Sequence, residues 1–179
     1  LRNGAVYAYF GILPALFRLI FLPFSGFATT DFTRLGCLVA VALMTAFKLL
    51  TASTVARQVG IERAPSLMPL MLAAILLSGA QIEFLRPSIF QEVALWGAAC
   101  AAAFVYLVVC GWLDEAGFTP RSMVAMAVAA GLCLMARVST ALGLYLAFAG
   151  LWLILVWRER ALLRAYLPAV GVAAGFAAA

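Results

Sequence analysis

The chain has 179 residues, 67% of them hydrophobic and 11% charged, with a formal net charge of +5. A soluble domain carries about 25% charged residues, so this composition excludes a soluble globular protein. The basic residues are scattered between apolar runs rather than clustered on one face, which excludes a nucleic-acid surface.

No apolar run alternates with the period of two that a barrel strand needs, so the chain reads as all-α, a polytopic transmembrane helical bundle. Cys37, Cys100, Cys110 and Cys133 all lie in apolar runs, with no CxxC spacing, and read as small packing residues. Histidine is absent, which removes His-based zinc sites and Ser-His triads; no metal site is read.

Residues 1–28, "LRNGAVYAYFGILPALFRLIFLPFSGFA", are apolar, aromatic-rich and broken by Gly4, Gly11, Pro14, Pro23 and Gly26, with Arg18 in the middle. They read as an interfacial segment, with Pro14 placed to open a short helix. Transmembrane helices then occupy 35–179. A first span covers about 35–55, capped by Asp31 or Thr33, with Lys48 snorkelling towards Arg57. A second covers about 66–80, with Pro69 tolerated in its first turn.

The loop 81–92, "QIEFLRPSIFQE", holds Glu83, Arg86 and Glu92. Glu92 opens the third span, about 93–113, where a carboxylate suits a helix N-terminus. Small residues in "WGAACAAAF" allow neighbouring backbones to approach closely. "DEAGFTPR" (114–121) is a tight polar turn, which accounts for the adjacent Asp114 and Glu115.

From 122 to 157 the chain is apolar except for Arg137. A single helix of that length would reach about 54 Å, against a hydrocarbon core of about 30 Å. The run therefore divides into two spans, with the turn at 137–140 and Ser139 or Thr140 as the cap. The first of the pair, about 122–136, is short, which recesses Arg137 in a wet or protein-lined cavity. "RERALLRAY" follows, and a last span starts near 167. The count is about six spans, the last truncated, and both ends read as cut from a longer protein.

"RERALLR" is the densest basic cluster and is assigned to the cytoplasm. That orientation puts Arg137, the 81–92 loop and the N-terminal segment outside. Arg137 is open to two readings: a turn residue anchored at headgroups, or an anion site, since a guanidinium matches phosphate with paired N–H donors. At that depth the natural anion is a lipid phosphate or pyrophosphate.

"VYAYFGILPALFRLIFLPF" (6–24) resembles a "YxYFGPLPALLLLPF" stretch of bacterial membrane glycosyltransferases of the GT-C superfamily, in the branch similar to protein O-mannosyltransferases and aminoarabinose lipid A transferases. "RPSIFQEVALWGAACAAAFVYL" (86–107) resembles their loop-to-helix junction, and "GLCLMARVSTALGLYL" (131–146) their "GlxxGLAxLxRPxxLLLLL" run. The sequence departs from the pattern at Val138 and Ile12, where the family has Pro. Its catalytic aspartate belongs to an external loop expected upstream of residue 1, and Asp31 lies on the wrong side of the "FGxLP" stretch to replace it.

The resemblance implies that residues 1–179 are part of one GT-C-like module in the bacterial inner membrane. It implies an inverting glycosyltransferase moving a sugar from a polyprenyl-phosphate donor to an acceptor at the external face. Arg137 and Arg86 would hold the donor phosphate, with Glu92, Glu83, Tyr7 and Tyr9 lining the cavity. The donor is a substrate, no cofactor is implied, and dependence on a divalent metal stays open. The implied partners are membrane lipid and the lipid-linked sugar. Two other readings stand beside this one: a transporter or flippase-like bundle in which Lys48 and Arg137 line a path, and a non-catalytic membrane scaffold subunit.

Overall fold

A computed structural model describes residues 12–21, 23, 32–60, 67–78, 89–115, 117–158 and 163–178. Among them the chain is all-α, with seven helices: α1 (Ile12–Leu19), α2 (Thr33–Val59), α3 (Leu67–Leu76), α4 (Ile89–Leu113), α5 (Pro120–Ala136), α6 (Val138–Arg158) and α7 (Leu163–Ala178). Three of them are long and apolar enough to cross a membrane: 33–59, 90–113 and 138–158. α5 is a shorter apolar helix of 17 residues, about 25 Å long, and α3 has ten residues. The protein is therefore read as a multi-pass membrane protein.

The side chains are sorted as lipid solvation requires. Large apolar groups face outward, among them Leu70, Leu142, Leu146, Leu153 and Trp157. Some helix contacts use small ones, which let backbones approach closely. Cys37, Ala40, Ala99 and Ala136 are buried where α2, α4 and α5 meet. At Gly36 an added methyl would overlap the Glu92 carboxylate, and at Gly131 it would overlap the Phe176 ring.

α2 and α4 run parallel. Gly36, near the start of α2, lies against Glu92, in the first turn of α4. At the far end Gln58 Nε2 donates to the Leu113 carbonyl at 2.8 Å. α5 returns antiparallel after the tight turn at 114–119. There the Thr119 hydroxyl accepts from the Ser122 N–H, and the Ser122 hydroxyl accepts from the Thr119 N–H, a reciprocal cap with Pro120 opening the helix.

α5 is the central helix. Met123, Met126, Ala127, Ala130 and Cys133 are buried on it, and the larger core cluster joins it to Phe104 of α4, Phe148 and Leu151 of α6 and Tyr166 of α7. Neighbouring helices therefore cover this short helix along several sides.

Several sequence expectations are corrected here. α2 has Phe32 at its N-cap, with no side-chain cap hydrogen bond; Thr33 lies inside the helix instead, and Asp31 is outside the described residues. Lys48 does not reach along its helix towards Arg57: its Nζ donates to the Ser78 hydroxyl at 2.9 Å, just beyond α3. A hydroxyl from a neighbouring segment thus takes one of the ammonium's donors. The turn expected over 137–140 is a single residue, Arg137, so Ser139 and Thr140 fall in the first turn of α6 rather than capping it.

Candidate functional site

One end of the bundle gathers charge. α2, α4 and α6 all begin there: Gly36 meets Glu92, and one and a half turns further along α4, Gly97 lies under the Arg137 Cβ, close enough that an added methyl would sit 3.4 Å from it. α1 packs across the same end. Its Pro14 is buried, Phe17 lies against Trp96 with ring centroids 5.3 Å apart, and Leu13 reaches the cluster of Cys100, Cys133 and Ala141. The outward residues Ile12, Leu16 and Leu19, with Ile20 just beyond the helix, are exposed, so the face of α1 turned away from the bundle is apolar.

Arg18 is the residue that α1 delivers. One guanidinium nitrogen donates to Glu92 Oε2 at 2.5 Å and to the Thr33 hydroxyl at 3.2 Å. The Glu92 side chain is fully buried and that of Arg18 is 31% exposed. A buried carboxylate without a cation costs several kcal/mol, so this pair ties α1 to the first turns of both α2 and α4. The first turn of α4 adds its own stabilisation, because unpaired N–H groups point towards the carboxylate end.

Arg137 stands at the corner between α5 and α6. Its backbone is extended (φ −147°, ψ 108°), yet both of its polar groups are used. Its N–H donates to the Cys133 carbonyl at 2.7 Å, and its carbonyl accepts from the Ala141 N–H at 3.1 Å. The side chain is exposed, and among the described residues no side chain pairs with it. Arg34, in the first turn of α2, is exposed at the same end. Among the described residues, three guanidiniums (Arg18, Arg34 and Arg137) and one carboxylate (Glu92) thus share this end with three helix N-termini. The sum over these groups is a positive potential at this end of the bundle.

Of the residues expected from the sequence, Glu92 and Arg137 are both brought to this end. Tyr7, Tyr9, Glu83 and Arg86 lie outside the described residues. Arg18 is a residue of this end that the motifs of the sequence do not mark. Its signal was present nonetheless: a lone cation in one apolar helix and a lone acid in the first turn of another, each needing a partner. No group of three or more His, Cys, Asp or Glu side chains that could hold a metal ion occurs among the described residues.

Comparison with protein-family models, with curated proteins and with solved structures found no match.

Proposed function

We propose that this end of the bundle holds the phosphate of a lipid-linked donor, as part of an inverting glycosyltransferase of GT-C type acting at the external face of a bacterial inner membrane. The observation that carries the reading is the convergence of Arg34, Arg137 and the N-termini of α2, α4 and α6 at one end of an apolar bundle. Exposed guanidiniums beside unpaired backbone N–H groups suit a phosphate that arrives from the lipid and leaves with charge developing on it.

Arg137 is the principal phosphate ligand. Arg18 is held by Glu92 and serves to seat α1 over the site. The resemblance in residues 6–24, 86–107 and 131–146 supplies the sugar-transfer part of the reading, and holding the donor phosphate is the share of that reaction assigned to these residues. In this reading the chain crosses the membrane about six times, with α5 and the shorter helices counted beside the three long ones.

The experiment is photolabelling of the intact protein by a polyprenyl-phosphate analogue, in wild type, Arg137→Ala and Arg137→Lys. Loss of labelling in the alanine variant, partly spared in the lysine variant, supports the phosphate site. Equal labelling in all three removes it, and Arg137 is then only the corner between two helices.

A further inference from the structure

The opposite end of the bundle carries a cavity that the donor-phosphate reading does not use. Its volume is about 400 Å³, and it opens where α4 and α6 end, beside Tyr166 of α7. The turn that forms one wall is firmly built. The Phe118 ring packs where a side chain on Gly111 would otherwise stand, and Trp112 meets it edge-on with centroids 5.9 Å apart. The Tyr166 hydroxyl donates to the Phe118 carbonyl at 2.7 Å. Gly117, at φ +64°, closes the turn with an N–H donated to the Asp114 carbonyl at 3.0 Å.

The lining is divided by charge. Asp114 and Glu115, just beyond α4, supply carboxylates, and Arg158, the last residue of α6, supplies a guanidinium. Below Arg158 the wall is Leu151, Ile154 and Leu155, on the same face of α6 by their spacing of three, four and seven residues. Trp112 and Trp157 are 66% and 86% exposed. Tryptophans at the ends of long apolar helices mark the headgroup level of a bilayer.

A simple cation here meets Arg158, and a simple anion meets the two carboxylates. The lining suits a zwitterion whose anionic part lies deeper along α6 and which continues into an apolar body. We propose that this cavity binds the headgroup of phosphatidylethanolamine, with its ammonium at Glu115, its phosphate on Arg158 and its acyl chains against Leu151, Ile154 and Leu155. Asp114 adds negative potential to the ammonium side. A primary ammonium brings three N–H donors to the Glu115 carboxylate and nearby acceptors, whereas a choline headgroup brings none, so the site discriminates between the two lipids.

The test is native mass spectrometry of the intact protein in detergent, with phosphatidylethanolamine, phosphatidylglycerol and phosphatidylcholine of identical chains, and with soluble phosphoethanolamine as competitor. Wild type is compared with Glu115→Gln, Glu115→Asp and Arg158→Gln, and with Arg121→Gln as an exposed control outside the cavity. Wild type and the control retain phosphatidylethanolamine about two- to fivefold better than the other two lipids, the effect of one exposed ion pair. Glu115→Gln abolishes that preference and Glu115→Asp keeps it, while Arg158→Gln weakens retention of all three lipids, each of which carries the phosphate. Equal retention of the three lipids by wild type, or an undiminished preference in Glu115→Gln, overturns the proposal. Displacement by millimolar phosphoethanolamine reassigns the cavity to a soluble zwitterion and overturns the lipid assignment. Neither result touches Arg137, which lies at the other end.

Discussion

Arg18 and Glu92 are 74 residues apart in the chain and 2.5 Å apart in space. Removing the cation alone strands a fully buried carboxylate. Arg18→Met is expected to destabilise by about 3 kcal/mol, at the lower end for broken buried pairs because Arg18 keeps some contact with solvent. Replacing both partners, Arg18→Met with Glu92→Leu, removes the stranded charge and recovers most of that loss. Chemical unfolding in mixed micelles, run as a double-mutant cycle, measures both; equal instability of the single and double variants would show that the pair does not hold α1 in place.

The glycines of the bundle divide into two classes with opposite outcomes. Gly36→Ala and Gly131→Ala push into the Glu92 carboxylate and the Phe176 ring and are expected to cost about 1–3 kcal/mol each, as overpacking does. Gly143 and Gly150 of α6 have open space around the position of an added methyl, so alanine there is neutral or stabilising by up to about 1 kcal/mol. Thermal unfolding of the four variants in one detergent distinguishes the classes.

Arg137→Ala is expected to leave stability within about 0.5 kcal/mol of wild type, as for other exposed positions away from packing, while lowering polyprenyl-phosphate labelling. The corner itself is held by backbone bonds to Cys133 and Ala141, which alanine keeps. A melting temperature that falls along with labelling would mean that the side chain supports the fold instead.

Parallel α2 and α4 fix which residues share a side of the membrane. Single cysteines replacing Arg34 and Val138 are expected to react with an impermeant thiol reagent from one side, and those replacing Gln58 and Glu115 from the other. Cys37, Cys100 and Cys133 are buried and can remain, while Cys110 is half-buried and is replaced first. Labelling of Arg34→Cys and Gln58→Cys from the same side would refute the arrangement.

Loss of the hydroxyl in Tyr166→Phe removes the hydrogen bond that ties α7 to the 114–119 turn. The expected cost is about 1 kcal/mol, with faster amide exchange at Gly117 and Phe118 than in wild type. Unchanged exchange there would mean that the Phe118–Trp112 packing holds the turn unaided.

The helices were legible because apolar length and polar punctuation are local signals. The helix end before Arg137, the helix start near 122 and the third span at 93–113 all follow from neighbouring residues, and each agrees with the structure within a few positions. What the sequence did not reveal is partnership across helices. Arg18 read as an interfacial charge and Glu92 as a helix-opening acid, since nothing local joins residue 18 to residue 92. Lys48 likewise read as reaching along its own helix towards Arg57, while its partner, Ser78, lies outside that helix. Membrane helices weaken the usual guide as well: with apolar residues on every side, periodicity no longer tells which face is covered.

The corner at Arg137 has a bearing on how this chain can change over generations. Connections between helices ordinarily absorb gained or lost residues, because they run over the surface with slack to spare. Here the connection is one residue, fixed by backbone bonds on both sides. A residue inserted in the first turn of α6 would turn the rest of that helix by about 100°, carrying Phe148 and Leu151 out of the core and Arg158 away from the far cavity. Length is thus constrained most tightly where a linker would usually be freest. A single-codon insertion at the corner alters both ends of the bundle at once, whereas substitution of the exposed Arg137 side chain alters only one.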